Sequence, residues 1–178
     1  MRKIFLFVIL FCLIVPENLH ALSNSSDAFM SLPFGHSFTR TKKRMENSGA
    51  KTLTPRELTL SMEGYFEGFP ARFLFGFHKK KGLKSKALYI QSSGDKAKDN
   101  NLYLNLQKAH NSIYGTGNES PVMNTRKAGK IMLRNIWTPD RYTTITLTYN
   151  PEATIKFPGT SMNDRPVHLI YKYEKWDN

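Results

Sequence analysis

The sequence predicts an all-β (mainly β) fold: a single antiparallel meander of about nine strands, forming a small barrel or a β-sandwich. Three observations predict it. Ala71, Phe73, Phe75 and Phe77 alternate with Arg72, Gly76 and His78, Leu74 being the exception, which is the period-2 pattern of a half-buried strand. Ile145, Leu147 and Tyr149 oppose Thr144, Thr146 and Thr148 just as cleanly. Turn residues punctuate such runs at short intervals, as at Gly68-Phe69-Pro70, Lys81-Gly82, Asn150-Pro151 and Pro158-Gly159.

Arg2 and Lys3 precede an apolar run from Ile4 to Val15, which is too short to span a bilayer core. Leu19-His20-Ala21 then supplies a more polar end. This order of regions is that of a secretory signal cleaved after Ala21. The expected organisation is a signal over 1–21, a partly disordered N-terminal arm over 22–52, and one β-rich domain over 53–178. The arm carries the basic run Arg40, Lys42, Lys43 and Arg44, with Phe29, Met30, Leu32, Phe34 and Phe38 as docking points.

Leu58, Leu60, Met62 and Phe66 alternate with Thr59, Ser61, Glu63 and Tyr65, so the first strand is expected from about Leu58 to Phe66. A helical start at Thr54-Pro55, with Glu57 completing a capping box, competes with it. Further strands are expected at 71–77, 86–91, 102–107, 111–116, 131–137, 142–149, 153–157 and 167–173, with a loop over 120–127. No long helix is expected. A calycin-like barrel is the specific topology to check first, by fold-level analogy with no motif behind it, and a closed barrel of that kind would have an interior able to carry a small apolar ligand. A membrane barrel is not expected, because the outward faces carry too many charges for a lipid-facing band. No later apolar segment is long enough to cross a membrane as a helix.

Lys and Arg number 26 against 14 Asp and Glu, a net charge of +12 with a pI near 9.8. Without Arg2, Lys3 and Glu17 the balance is 24 against 13, or +11. Such a charge favours polyanions and anionic membrane surfaces. In an exported protein nucleic acid is not the expected partner. Cys12 is the single cysteine and lies in the signal. The mature chain is therefore cysteine-free, with no disulfide, thiol nucleophile or cysteine-ligated zinc. These features suit a periplasmic or secreted protein.

His78 to Lys86 holds the densest charge, with Lys79, Lys80, Lys81, Lys84 and Lys86 in eight residues. Arg126, Lys127 and Lys130 form a second cluster. These eight residues are the candidate anion-binding set. The structural alternative is a solvated hairpin loop whose lysines discourage edge-to-edge pairing. Lysines bind as point charges rather than as bidentate forks, so diffuse attraction is expected. His36, His78, His110 and His168 are scattered, and no metal or cofactor set is named. No hydrolase or metalloprotease motif appears. Glu63 and Glu67 are four apart, about 13 Å along a strand and too far for a paired-carboxylate site. Trp176 lies in a charged tail, where exposure would be hard to explain by packing.

The reading is thus an exported, non-catalytic β-domain. It binds an envelope glycolipid, an acidic polysaccharide or a membrane surface through the lysine-rich loop. A carrier of a small apolar ligand is the alternative, and an enzyme with a dispersed site is the third.

Overall fold

Residues 25–123, 131–151 and 166–176 are described by the computed structural model. A short helix, α1 (residues 25–30), and α2 (Phe38–Asn47) precede four strands, β1 (Lys51–Arg56), β2 (Thr59–Phe66), β3 (Phe69–His78) and β4 (Gly82–Ile90). A long helix, α3 (Lys96–Tyr114), leads to β5 (Asn118–Met123), β6 (Ile131–Asp140), β7 (Thr143–Tyr149) and β8 (Val167–Tyr173), followed by a 3-10 turn (Glu174–Trp176). All strand pairs are antiparallel, in one sheet of order β1-β2-β3-β4-β8-β7-β6-β5. In each half a four-strand meander follows helix, α1 and α2 in the first and α3 in the second. The halves join where β4 pairs with β8.

The mainly β expectation holds, with eight strands among the described residues. Closure does not: β1 and β5 stand at opposite edges of an open sheet, so no calycin-like interior exists among the described residues. The cause is α3, which carries the chain from β4 to the far edge. The core is one face of this sheet with the helices over it. Leu60, Met62 and Phe66 of β2, Phe73 and Phe75 of β3, Leu88 of β4, Leu169 of β8 and Ile145 and Leu147 of β7 point inward. Period-2 burial along β3 and β7 follows directly from the pleat.

The strands expected at 102–107 and 111–116 are instead turns of α3. Asp99, Leu102, Tyr103, Leu106 and His110 are buried along one stripe, while Leu104 stays 46% exposed. The spacing of Leu102, Leu104 and Leu106 only coincides with strand periodicity. Asp95 caps the helix by accepting from the N–H groups of Ala97 at 2.9 Å and Lys98 at 3.3 Å, and Gly115 ends it at φ 79°. Asp95→Ala is expected to cost about 1 kcal/mol by losing this cap. A urea denaturation midpoint measures it.

Thr54-Pro55 belongs to β1 and starts no helix; Pro55 is tolerated there because β1 is an edge strand. The loop expected from 120 begins as β5. The strand expected at 153–157 and the signal lie outside the described residues. From residue 25 onward the expected arm is helical, and Phe29 and Leu32 are buried. Phe29 meets the rings of Phe66, Phe73, Phe75 and Tyr171 at centroid distances of 5.5–6.4 Å, so the docking residues are part of the core.

Candidate functional site: a cationic and aromatic end of the sheet

The β3–β4 turn carries Lys79, Lys80 and Lys81, all exposed. Their backbone is held from within. The Nδ1 atom of His78 accepts the N–H of Lys80 at 3.1 Å and that of Lys81 at 3.2 Å, which closes the turn on a side chain of β3. Gly82 follows at φ 83°, and any side chain there would strike the carbonyl oxygens of Gly35 and His36. That close approach docks the loop over 33–36 on β4: Gly35 N–H donates to Leu83 O at 2.9 Å, and Leu83 N–H donates to His36 O at 2.8 Å. The lysines are therefore presented by a fixed turn.

Strand pairing brings other segments to the same end. Gly76, Ser85, Lys172 and Thr144 lie in one row across β3, β4, β8 and β7. Beyond that row lie the β6–β7 turn and the 3-10 turn after β8. These turns add Arg141 and Lys175, which are exposed like Lys172 of β8 in the row itself, while Lys84 of β4 is half-buried. Arg56 at the end of β1 and Glu57 after it are of opposite sign. Asp140 and Glu174 are the remaining carboxylates there. Asp140 is committed to its own turn: it accepts from Tyr142 N–H, Thr143 N–H and the Thr143 hydroxyl at 2.7–2.9 Å. Those hydrogen bonds hold its carboxyl below its ordinary value. Neither ion pair between described residues that lies on the sheet or α2, Arg72–Glu63 or Lys42–Glu46, involves the turn lysines.

Aromatic rings stand among these cations. Trp176 packs edge-on to Tyr173 at 4.8 Å and lies 6.4 Å from the ring of His78. Tyr173 stacks on Phe34 at 5.2 Å and meets Tyr142 at 6.1 Å. The Arg141 guanidinium lies over the Tyr142 ring at 4.6 Å, and the Lys175 ammonium at 5.2 Å. Trp176 is thus half-buried on Tyr173 rather than loose in a tail. This arrangement can attract an anion with its lysines and pack a ring or chain on its aromatic surfaces.

Lys86 does not join this end. It is 4% exposed on the core face of β4, and its ammonium donates to the carbonyls of Phe29 and Met30 at 2.8 Å and Leu32 at 3.0 Å. It caps the C-terminal end of α1, where carbonyls lack helical partners. The faces of Tyr171 at 4.6 Å and Phe29 at 5.2 Å complete its surroundings. Burial pushes its pKa down to about 7, and Arg44 adds repulsion. The three acceptors and two ring faces favour the charged form.

Beside it, His110 Nδ1 bonds the Leu106 carbonyl at 2.7 Å, so that nitrogen carries the proton and Nε2 accepts from the Tyr171 hydroxyl at 2.7 Å. Burial lowers the His110 pKa and raises that of Tyr171. These groups partner one another inside the core. Arg126, Lys127 and Lys130 lie outside the described residues. Among the described residues no group of three His, Cys, Asp or Glu side chains could hold a metal ion.

Of the eight candidate residues, Lys79, Lys80 and Lys81 share the β3–β4 turn, Lys84 stands half-buried on β4 just beyond it, and Lys86 is withdrawn into the core. Sequence reading missed Arg141, Lys172 and Lys175 and did not join Tyr142 and Tyr173 to the lysines, because only strand pairing places them beside the turn. No family model, curated protein or solved structure matches this chain.

Proposed function

We propose that this is an exported, non-catalytic protein that binds an anionic partner at the cationic and aromatic end of its sheet. The partner is an acidic polysaccharide, a glycolipid or an anionic membrane surface. The observation that carries this reading is a run of three exposed lysines on a turn fixed by His78, with Trp176, Tyr173 and Tyr142 beside it. Lysine-based attraction weakens with salt and discriminates by charge density more than by shape.

The test compares binding of the mature chain to anionic vesicles, neutral vesicles and a soluble acidic polysaccharide. The Lys79→Gln/Lys80→Gln/Lys81→Gln variant runs beside it, with Lys86 left intact because it belongs to the core. The expected result is anion-selective binding that falls at least tenfold in the triple variant at unchanged thermal stability. Equal binding by both proteins would reduce the turn to a solvated loop.

A further inference from the structure

A groove of about 530 Å³ runs between α3, from Lys98 to Ala109, and the β2–β3 turn, at the end of the sheet opposite the lysine turn. That volume falls within the roughly 300–1,000 Å³ of small-molecule pockets. Met30, Phe66, Phe69, Leu102 and Leu106 form its apolar floor. Its rim is polar. Lys98, Asn101 and Asn105 follow one stripe of α3, and Glu67 comes from the turn. One cation and one anion therefore border a hydrophobic trough.

Glu67 is the one described non-glycine residue with positive φ, at 50°, and Gly68 follows at 80°. Such two-residue turns favour Asn-Gly, and a glutamate in the left-handed region carries backbone strain. The turn is nevertheless fastened to α1, for Glu67 N–H donates to the Ser26 hydroxyl at 2.9 Å. Strain of this kind persists where the surroundings hold it and clusters at active sites, ligand clamps and switch regions. What a glutamate supplies here, and glycine or asparagine does not, is a carboxylate at the groove.

We propose that the groove binds a single-chain zwitterionic amphiphile. Its chain lies on the floor, the cationic part of its head pairs with Glu67, and the anionic part pairs with Lys98. The amides of Asn101 and Asn105 donate to the head's oxygens. Opposite charges on the two sides make this head the complement of the rim, whereas a purely anionic or cationic head leaves one side opposed by like charge.

The experiment titrates the full chain with dodecylphosphocholine, dodecanoate and dodecyltrimethylammonium, each as monomers, by calorimetry. Dodecylphosphocholine is expected to bind at least tenfold tighter than either singly charged amphiphile. Ala109→Phe fills the groove from an exposed position of α3 and should remove that binding. Glu67→Gly should raise the melting temperature by relieving the turn yet lower the affinity at least fivefold, and Lys98→Gln should lower it at unchanged stability. No binding, equal binding of the three amphiphiles, or a more stable Glu67→Gly protein with unchanged affinity would each overturn the proposal.

Discussion

Lys86→Met is expected to lower stability by about 2–4 kcal/mol, with the N-terminal helix released first. Methionine keeps most of the stem between Phe29 and Tyr171 but leaves the carbonyls of Phe29, Met30 and Leu32 without their shared donor. Each buried acceptor left unpaired costs about 1–3 kcal/mol, and relief of the buried charge offsets part of the sum.

The pH dependence has a defined sign. The amine's pKa is about 7 in the folded chain against 10.5 in the unfolded one, so the folded state binds fewer protons between those values. Wild-type stability, measured relative to Lys86→Met, therefore rises with pH across that window, by at most about 1.4 kcal/mol per unit. Below pH 7 both states hold the proton and the difference levels off. Urea denaturation of both proteins at pH 6, 8 and 9.5 checks it. A cost that shrinks as pH rises would contradict the account of Lys86.

Phe29→Ala is expected to cost about 3–5 kcal/mol, the range for truncating a fully buried aromatic. The ring is 0% exposed and touches β2, β3 and β8 at once, through Phe66, Phe73, Phe75 and Tyr171. Its removal leaves a cavity that four rings cannot easily fill, and it weakens the surface on which the Lys86 ammonium rests. A melting temperature lowered by several degrees would be the readout. A loss below about 1 kcal/mol would return residues 25–37 to the status of a dispensable arm.

Strands were legible where one face is buried and the other polar. β2, β3, β7 and β8 all begin and end within a residue or two of the sequence expectation, because inward Phe, Leu and Ile alternate with Thr, Ser or charge. α3 was not. Its buried stripe mixes Asp99, Tyr103 and His110 with two leucines, and the exposed Leu104 between them imitates a strand. What decides for the helix is the Asp95 cap and the need to carry the chain across an eight-strand sheet, and only the first is written locally. The open sheet was hidden for the same reason, since edge positions follow from the crossover rather than from any strand's pattern.

The site shows the same division. The lysine turn could be read because charge and Gly82 cluster in sequence. Lys86 was misassigned to it by proximity, although its alternation with Leu88 and Ile90 places it on the core face of β4. The aromatic half of the site comes from residues 34, 142, 173 and 176, which meet only after β8 inserts beside β4.

The most direct test of anion recognition at this end of the sheet is the salt dependence of binding to a soluble acidic polysaccharide. The equilibrium constant is measured across a series of ionic strengths for the wild type and for Lys79→Gln/Lys80→Gln/Lys81→Gln. The account predicts affinity that falls steadily as salt rises, with a visibly shallower slope in the variant, because the exposed ammoniums interact through solvent and are screened. Two superimposable slopes would contradict it and place any anion binding elsewhere on the chain.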